Sequence, residues 1–167
     1  MNKMILSVIA AAVMSAGAAH AADGVEKKIA IVATINDAIF VSKPDGHSWY
    51  DKEELSATNY KQLEFASNDL PVRIYTTDDE VNVSLVEPLI VARADGAQLS
   101  DVTITFAGKP VVQGTPVNIK QTTIAPGGYD NIYTLKINAK SPTNVAAGAS
   151  KNGQYQGELV MLFEPKA

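Results

Sequence analysis

The chain has 167 residues, with 18 acidic side chains against 14 basic ones for a net charge of −4, and it contains no cysteine and only two histidines. The acidic balance argues against a nucleic acid or an anionic lipid surface as a partner, because both require a basic patch. The lack of cysteine excludes thiol catalysis, iron–sulfur clusters and cysteine-based zinc sites. Because His20 falls in the leader described next, His47 alone remains, which excludes sites built on paired histidines.

Residues 1–21 have the three parts of a secretory signal peptide. Lys3 gives the positive start, an apolar stretch covers residues 4–18, and Ala19-His20-Ala21 offers the small residues of a cleavage site. The apolar stretch is too short to span a bilayer stably. It therefore predicts a cleaved leader, and a soluble exported protein that begins near Ala22 and has the length of one domain.

Past the leader, apolar residues recur at every second position between clusters of Gly, Pro, Asn and Asp, which is the pattern of β-strands joined by turns. The predicted strands cover residues 25–35 continuing into 38–41, then 60–65, 71–76, 81–85, 89–93, 102–106, 111–119, 133–137 and 154–163. Turns are expected at 44–46, 77–80, 95–96 and 126–128, a surface loop at 141–153, and a loop or one helical turn at 49–55. About eight strands at this spacing predict an all-β sandwich of immunoglobulin type, with a small barrel as the alternative.

The first predicted strand stands out by its position at the start of the mature chain, where a segment can extend away from its own domain. Its apolar side chains alternate at Val25, Ile29, Ile31, Ala33 and Ile35. Such a strand can add to the sheet edge of another subunit while alternate side chains fill pockets. At about 1.5–3 kcal/mol for each large aliphatic side chain, this burial would contribute on the order of 6–12 kcal/mol before ordering costs. Periodicity alone favours the alternative, in which this segment is simply the first strand of a self-contained sandwich.

Residues 25–35, Val-Glu-Lys-Lys-Ile-Ala-Ile-Val-Ala-Thr-Ile, resemble the mature N-terminus of the colonization factor antigen I type major pilins, which belong to the class 5 or alpha-clade chaperone/usher fimbriae. Ala38-Ile39 and Asp45-Gly46 follow at similar spacing. Residues 71–86 are similar to the central hairpin of that family, and Gly153-Gln154-Tyr155-Gln156-Gly157 opens a similar last strand. Residues 86–150 are only loosely similar.

The resemblance implies an incomplete immunoglobulin-like domain over residues 37–167, completed by a donor strand, residues 22–36, from a neighbouring subunit. The donor side chains would be Val25, Ile29, Ile31, Ala33 and Ile35. The implied partners are identical subunits in a filament, a periplasmic chaperone, an outer-membrane usher and, as a further candidate, a tip adhesin; no cofactor is implied. Asp37 stands where many relatives have proline, so a role of that proline in fibre flexibility does not transfer.

The last strand is where that family holds its chaperone contact. The candidate residues for such a contact in this chain are Tyr155, Gly157, Leu159, Met161 and Phe163. Ordinary packing within the sandwich is the alternative role for Tyr155 and Gly157.

Two other groups of side chains have competing interpretations. The carboxylates of Asp78, Asp79 and Glu80 suit calcium, but no loop of calcium-binding spacing surrounds them, which favours a solvated turn. Trp49, Tyr50 and Tyr60 suit stacking against a sugar, but packing in the core or at its rim is the favoured interpretation.

The function favoured by these observations is that of a non-enzymatic structural subunit of an adhesive fimbria, exported through the periplasm to the cell surface. The alternative is a monomeric periplasmic β-sandwich that binds a ligand or partner. An exported hydrolase is disfavoured because no nucleophile lies in a pattern with a base.

Overall fold

The computed structural model describes residues 29–31, 39–146 and 148–166. Two units are distinguished within the chain, Met1–Thr34 and Ile35–Ala167. In the first unit the three described residues form no regular element, and the side chains of Ile29 and Ile31 are 85% and 89% exposed. The predicted signal peptide lies outside the described residues.

Every regular element among the described residues of the second unit is a β-strand. The strands are β1 (Ile39–Ser42), β2 (Ser56–Ala57), β3 (Glu64–Ala66), β4 (Leu70–Thr76), β5 (Glu80–Leu85), β6 (Ser100–Phe106), β7 (Lys109–Val111), β8 (Val117–Lys120), β9 (Ile124–Ala125), β10 (Gly128–Lys140) and β11 (Met161–Pro165). No helix long and apolar enough to cross a bilayer occurs in this described part.

The strands form two sheets. In the larger sheet, β10 is central: β4 pairs with its first half, β3 and β6 flank its second half, β1 pairs with β4, and β2, β7 and β9 complete the edges. The smaller sheet has three strands in the order β11-β5-β8, all antiparallel. The fold is therefore an immunoglobulin-like sandwich, as predicted, and the alternative of a small barrel is wrong.

The core lies between the two sheets because one face of each central strand is apolar. In β4 the residues Leu70, Val72 and Ile74 are at most 5% exposed, and in β5 Val81 and Val83 are fully buried. Side chains from both sheets form one continuous cluster. The alternation predicted for residues 71–76, 81–85 and 102–106 is thus confirmed, since inward residues of this kind alternate with more exposed ones.

The predicted strand at 60–65 is wrong in its first half. Asn59 accepts a hydrogen bond at Oδ1 from the Lys61 N–H (3.0 Å) and one at its carbonyl from the Gln62 N–H (3.1 Å), and Gln62 has a φ of 51°. These contacts form a turn that joins β2 to β3. The side-chain oxygen of Asn59 accepts from the backbone N–H two residues ahead, and this bond takes the place of a hydrogen bond to another strand. Tyr60 is 88% exposed in this turn.

Residues 71–86 do not form the hairpin that the resemblance implies, because β4 and β5 do not pair with each other. β4 pairs with β1 and β10, whereas β5 pairs with β8 and β11, so the short connection between β4 and β5 crosses from one sheet to the other. Residues 89–93 form only isolated bridges at Ala92, and residues 49–55 are irregular. The last strand begins at Met161 rather than at residue 154.

Candidate subunit interface

β11 forms one outer edge of the smaller sheet, and its pairing with β5 shows which of its backbone groups are free. The Val86 N–H donates to the Val160 carbonyl (3.1 Å), and the Lys166 N–H donates to the Glu80 carbonyl (3.1 Å). In an antiparallel pair, backbone groups point alternately toward and away from the partner strand. The even-numbered residues of this strand therefore direct their backbone groups to β5, and the odd-numbered ones direct theirs outward.

The outward groups of β11 are the N–H and C=O of Met161 and Phe163 and the C=O of Pro165; we call these residues the open edge. Within the described part of the chain no strand pairs with this edge, and no side chain donates to it. Pro165 fits the alternation, because proline lacks an N–H and is tolerated where the missing group faces an unpaired edge.

The inward side chains at the open edge are less covered than those of the next strand. Met161 and Phe163 are half-buried, whereas Val81 and Val83 of β5 are fully buried on the same side of the sheet. The Phe163 ring contacts Phe106 in the core, with ring centroids 5.6 Å apart and an edge-to-face angle of 74°. The apolar core thus reaches the open edge without being closed there.

The larger sheet is also incompletely covered beside β11. β1 lies close to β11, and its inward side chains Ile39 and Val41 pack on the core while remaining half-buried. Trp49 is 41% exposed and lies edge-to-face with Phe163, at 6.5 Å between centroids. A strand added along β11 would therefore meet apolar side chains from both sheets.

The other outer edge of the same sheet, β8, is finished differently. The Gln121 N–H donates to the Asp79 carbonyl (2.6 Å), so the same alternation makes the backbone groups of Asn118 and Lys120 point outward. The Asn118 carbonyl accepts from Lys109 Nζ at 2.8 Å, and the Lys120 carbonyl accepts from Tyr133 Oη at 3.0 Å. We call this the capped edge.

The residues predicted on the last strand divide into two groups. Met161 and Phe163 belong to the open edge, and Leu159 packs half-buried against the core. Tyr155 and Gly157 instead lie against the segment around Ala92, which exchanges two backbone hydrogen bonds of 2.8 Å with Gln156.

Tyr155 and Gly157 each make a close contact with the segment around Ala92. The guanidinium of Arg93 lies 5.6 Å from the centre of the Tyr155 ring. A Cβ at Gly157 would lie 2.3 Å from the Ile90 carbonyl oxygen, so only glycine allows the two segments to approach this closely. These contacts agree with ordinary packing within the sandwich.

Of the five predicted donor residues, Val25, Ala33 and Ile35 lie outside the described residues, as does Asp37. Ile29 and Ile31 are exposed, and their side chains do not pack in a core. Large aliphatic side chains this exposed are available to a partner, and that role stays a prediction.

Two of the three carboxylates at residues 78–80 lie close to lysines. Asp79 lies 3.8 Å from Lys120 Nζ, and Glu80 forms an ion pair with Lys166. Glu80 also accepts a hydrogen bond from Asn118 Nδ2 at 3.3 Å. The Lys166 ammonium group holds the pKa of Glu80 below its usual range.

The three aromatic residues considered for a sugar platform are not arranged as one. Trp49 and Tyr50 lie edge-to-face at 5.7 Å, with Trp49 also against Phe163, and Tyr60 lies in the separate β2–β3 turn. Sequence reasoning missed Lys109 and Tyr133, whose hydrogen bonds to β8 come from the opposite sheet and leave no local pattern.

The architecture defines an immunoglobulin-like β-domain whose smaller sheet has one capped edge and one edge that no described strand pairs with. Residues 25–164 match the family model of the CS1 type fimbrial major subunit, so the chain belongs to that family. It is a structural component of a fimbria, a polymer of identical subunits at the cell surface, and the family is not a class of enzymes. This membership favours a fimbrial protein over a monomeric periplasmic binding protein.

Similar proteins agree with this assignment. Two curated Escherichia coli proteins, each described as a CS1 fimbrial subunit, are 24% identical over 168 residues, which cover 96% of this chain and 97% of each relative. The structure of the CooA pilin subunit from enterotoxigenic Escherichia coli superimposes with a TM-score of 0.62 at 23% identity, covering 75% of this chain and 86% of that one. The structural likeness supports the shared fold.

Proposed function

We propose that the subunits polymerise head to tail by donor-strand exchange, in which residues 22–36 of one subunit pair with the open edge of its neighbour. The observation that carries this proposal is the open edge itself. Among the described residues, the backbone groups of Met161 and Phe163 are unpaired, and their half-buried side chains lie next to the buried inward side chains of β5. A β-protein normally protects such an edge, because it is a template for pairing with another chain.

The donor segment has the dimensions and the side chains that this edge requires. Its alternating part, residues 25–35, spans about 36 Å when extended, whereas the five residues of β11 span about 17 Å. The donor strand therefore covers β11 and continues beyond it. Val25, Ile29, Ile31, Ala33 and Ile35 all face one side of such a strand, where they would meet the half-buried apolar residues of β11 and β1.

An open edge of this kind also creates a need for partners before assembly. Unpaired strands with apolar side chains aggregate when they are exposed at high concentration. A periplasmic chaperone that occupies the open edge, with contacts at Met161 and Phe163, protects the subunit until an outer-membrane usher delivers it to the growing fibre. A tip adhesin with its own open edge is the natural terminal partner of the same donor strand.

The proposal is tested by removing the donor segment and then returning it in a different place. Subunits from which residues 22–36 are deleted should fail to form filaments in cells that express the export machinery. Attaching residues 25–36 behind Ala167 through a flexible linker in the truncated chain should restore a soluble, stable monomer. A graft with Ile29, Ile31 and Ile35 changed to Asp serves as the control and should not restore stability.

Two results would contradict donor-strand exchange. One is a truncated subunit that still assembles into filaments. The other is a wild-type graft that is no more stable to urea than its Asp-substituted control, because the apolar side chains of the segment would then contribute nothing at the open edge.

A further inference from the structure

The capped edge is closed by two side chains from the opposite sheet. Lys109 begins β7, and Tyr133 lies in the middle of β10, yet both donate to outward carbonyls of β8. Each contact bridges the two sheets, so neither follows from the local geometry of a turn or strand. The Tyr133 phenol stays protonated as a donor, since burial raises its pKa.

These contacts change what β8 offers to an incoming strand. A strand that adds to a sheet edge must donate to the outward C=O groups and accept from the outward N–H groups. At Asn118 and Lys120 both outward carbonyls already accept hydrogen bonds, and an ammonium group and a phenol ring occupy the space beside them. A lysine placed at an edge is a known means by which β-proteins discourage strand addition.

We propose that Lys109 and Tyr133 are specificity-determining residues of assembly, which block β8 so that each subunit binds a donor strand at β11 alone. This inference rests on the proposed function, because it takes residues 25–36 of another copy as the strand that adds. Its consequence is a linear polymer. Two acceptor edges in each subunit would allow two donors to bind one subunit, and the filament would branch.

The test uses filaments of the full chain and a fluorescent peptide of residues 25–36, with bound peptide counted per subunit. In wild-type filaments the β11 edges are filled by neighbours, so far less than one peptide should bind per subunit. Filaments carrying Lys109→Met together with Tyr133→Phe lose both donors but keep similar side-chain sizes. They should bind several times more peptide and show branched or laterally joined filaments by electron microscopy.

A matched control changes the same residue types elsewhere. Lys136→Met with Tyr75→Phe removes hydrogen bonds to Asp69 and Pro126, which do not involve β8. These filaments should bind no more peptide than the wild type. The single changes Lys109→Met and Tyr133→Phe, each of which frees one carbonyl, replace the double variant if that one does not assemble.

The outcomes separate the inference from the proposed function. If neither the double nor the single variants bind more peptide than the control, the inference is overturned and the role of β11 is untouched. If wild-type filaments already bind one peptide per subunit although subunits without residues 22–36 do not assemble, β8 is open and the inference is overturned. If the truncated subunits do assemble, donor-strand exchange itself is contradicted.

Discussion

β8 and β11 are the two edge strands of the three-stranded sheet and flank the same central strand, β5, but their outward backbone groups are treated differently. Tyr133 and Lys109 cover the outward carbonyls of β8, whereas Met161 and Phe163 leave their outward backbone groups unpaired within the described residues. Edge protection is therefore selective in this domain. Under the proposed function, the difference gives the polymer a single acceptor site in each subunit, and four changes test how far the two edges are independent.

The largest effect is expected at Phe106, which is fully buried and contacts both Tyr133, which caps β8, and Phe163 of the open edge. Its ring centroid lies 5.7 Å from that of Tyr133 and 5.6 Å from that of Phe163. Phe106→Ala should lower the free energy of unfolding by about 3–5 kcal/mol, because it removes a large side chain from a packed core. Urea denaturation of the donor-grafted monomer measures this loss. Phe40→Ala, at a side chain that is 63% exposed, is the control and should cost far less.

The next effect should appear at the open edge alone. Ile31→Thr places a hydroxyl where the donor strand is proposed to bury an aliphatic side chain, and about 1.5–3 kcal/mol of burial would be lost. The filaments should dissociate at a lower temperature, which heating in detergent followed by electrophoresis would show. Val32→Thr makes the same type of change on the opposite face of the strand, and equal losses for both variants would rule out the predicted alternation.

A smaller effect is expected where the chain approaches β11. Gly157→Ala should cost about 1–3 kcal/mol, because its Cβ must displace the Ile90 carbonyl oxygen and overpacking strains the backbone. The loss should be seen as a lower urea midpoint of the donor-grafted monomer. Glu158→Ala, at an exposed neighbouring position, should leave the midpoint unchanged. An unchanged midpoint for Gly157→Ala would mean that the two segments separate without cost.

The smallest effect concerns Glu80, which bonds to Asn118 on β8 and to Lys166 just after β11. Its pKa lies below the ordinary value of 4.5, chiefly through the hydrogen bond from Lys166. The stabilisation of the folded state by ionised Glu80 is therefore fully present above pH 4.5 and is lost as the pH falls below that value. Thermal denaturation between about pH 6 and about pH 3 should show a slightly weaker dependence on pH for Glu80→Gln. Glu87→Gln, at an exposed position, is the comparison, and identical curves for both variants would remove Glu80 from this role.

The sequence predicted the sandwich and its central strands because burial on one face leaves a period of two in β4, β5 and β6. It did not predict which strands pair. The connection between Thr76 and Glu80 is short enough for a hairpin, and only packing between the sheets decides that it crosses instead. Residues 89–93 and 154–160 were predicted as strand, but each makes only isolated bridges.

The candidate interface was predictable to a similar extent. Periodicity identified Met161 and Phe163 as inward residues of the last strand, and the structure adds that their edge has no partner among the described residues. Tyr155 and Gly157 were grouped with them because they are close in sequence, although their contacts are with Arg93 and Ile90. Lys109 and Tyr133 escaped prediction because the carbonyls that they cap lie on a strand of the opposite sheet, and strand periodicity does not show which side chains reach across.

Pro165 also limits the hydrogen-bond ladder that can form beside β11. Because it has no N–H, the edge offers an acceptor but no donor at its C-terminal end. Under the proposed function, a donor strand that covers all of β11 meets this position in every register, so one of its carbonyls lacks a backbone partner there. The alignment of the joined chains, and with it the spacing of subunits along the fibre, is then set by the alternating side chains of the donor strand and not by Pro165.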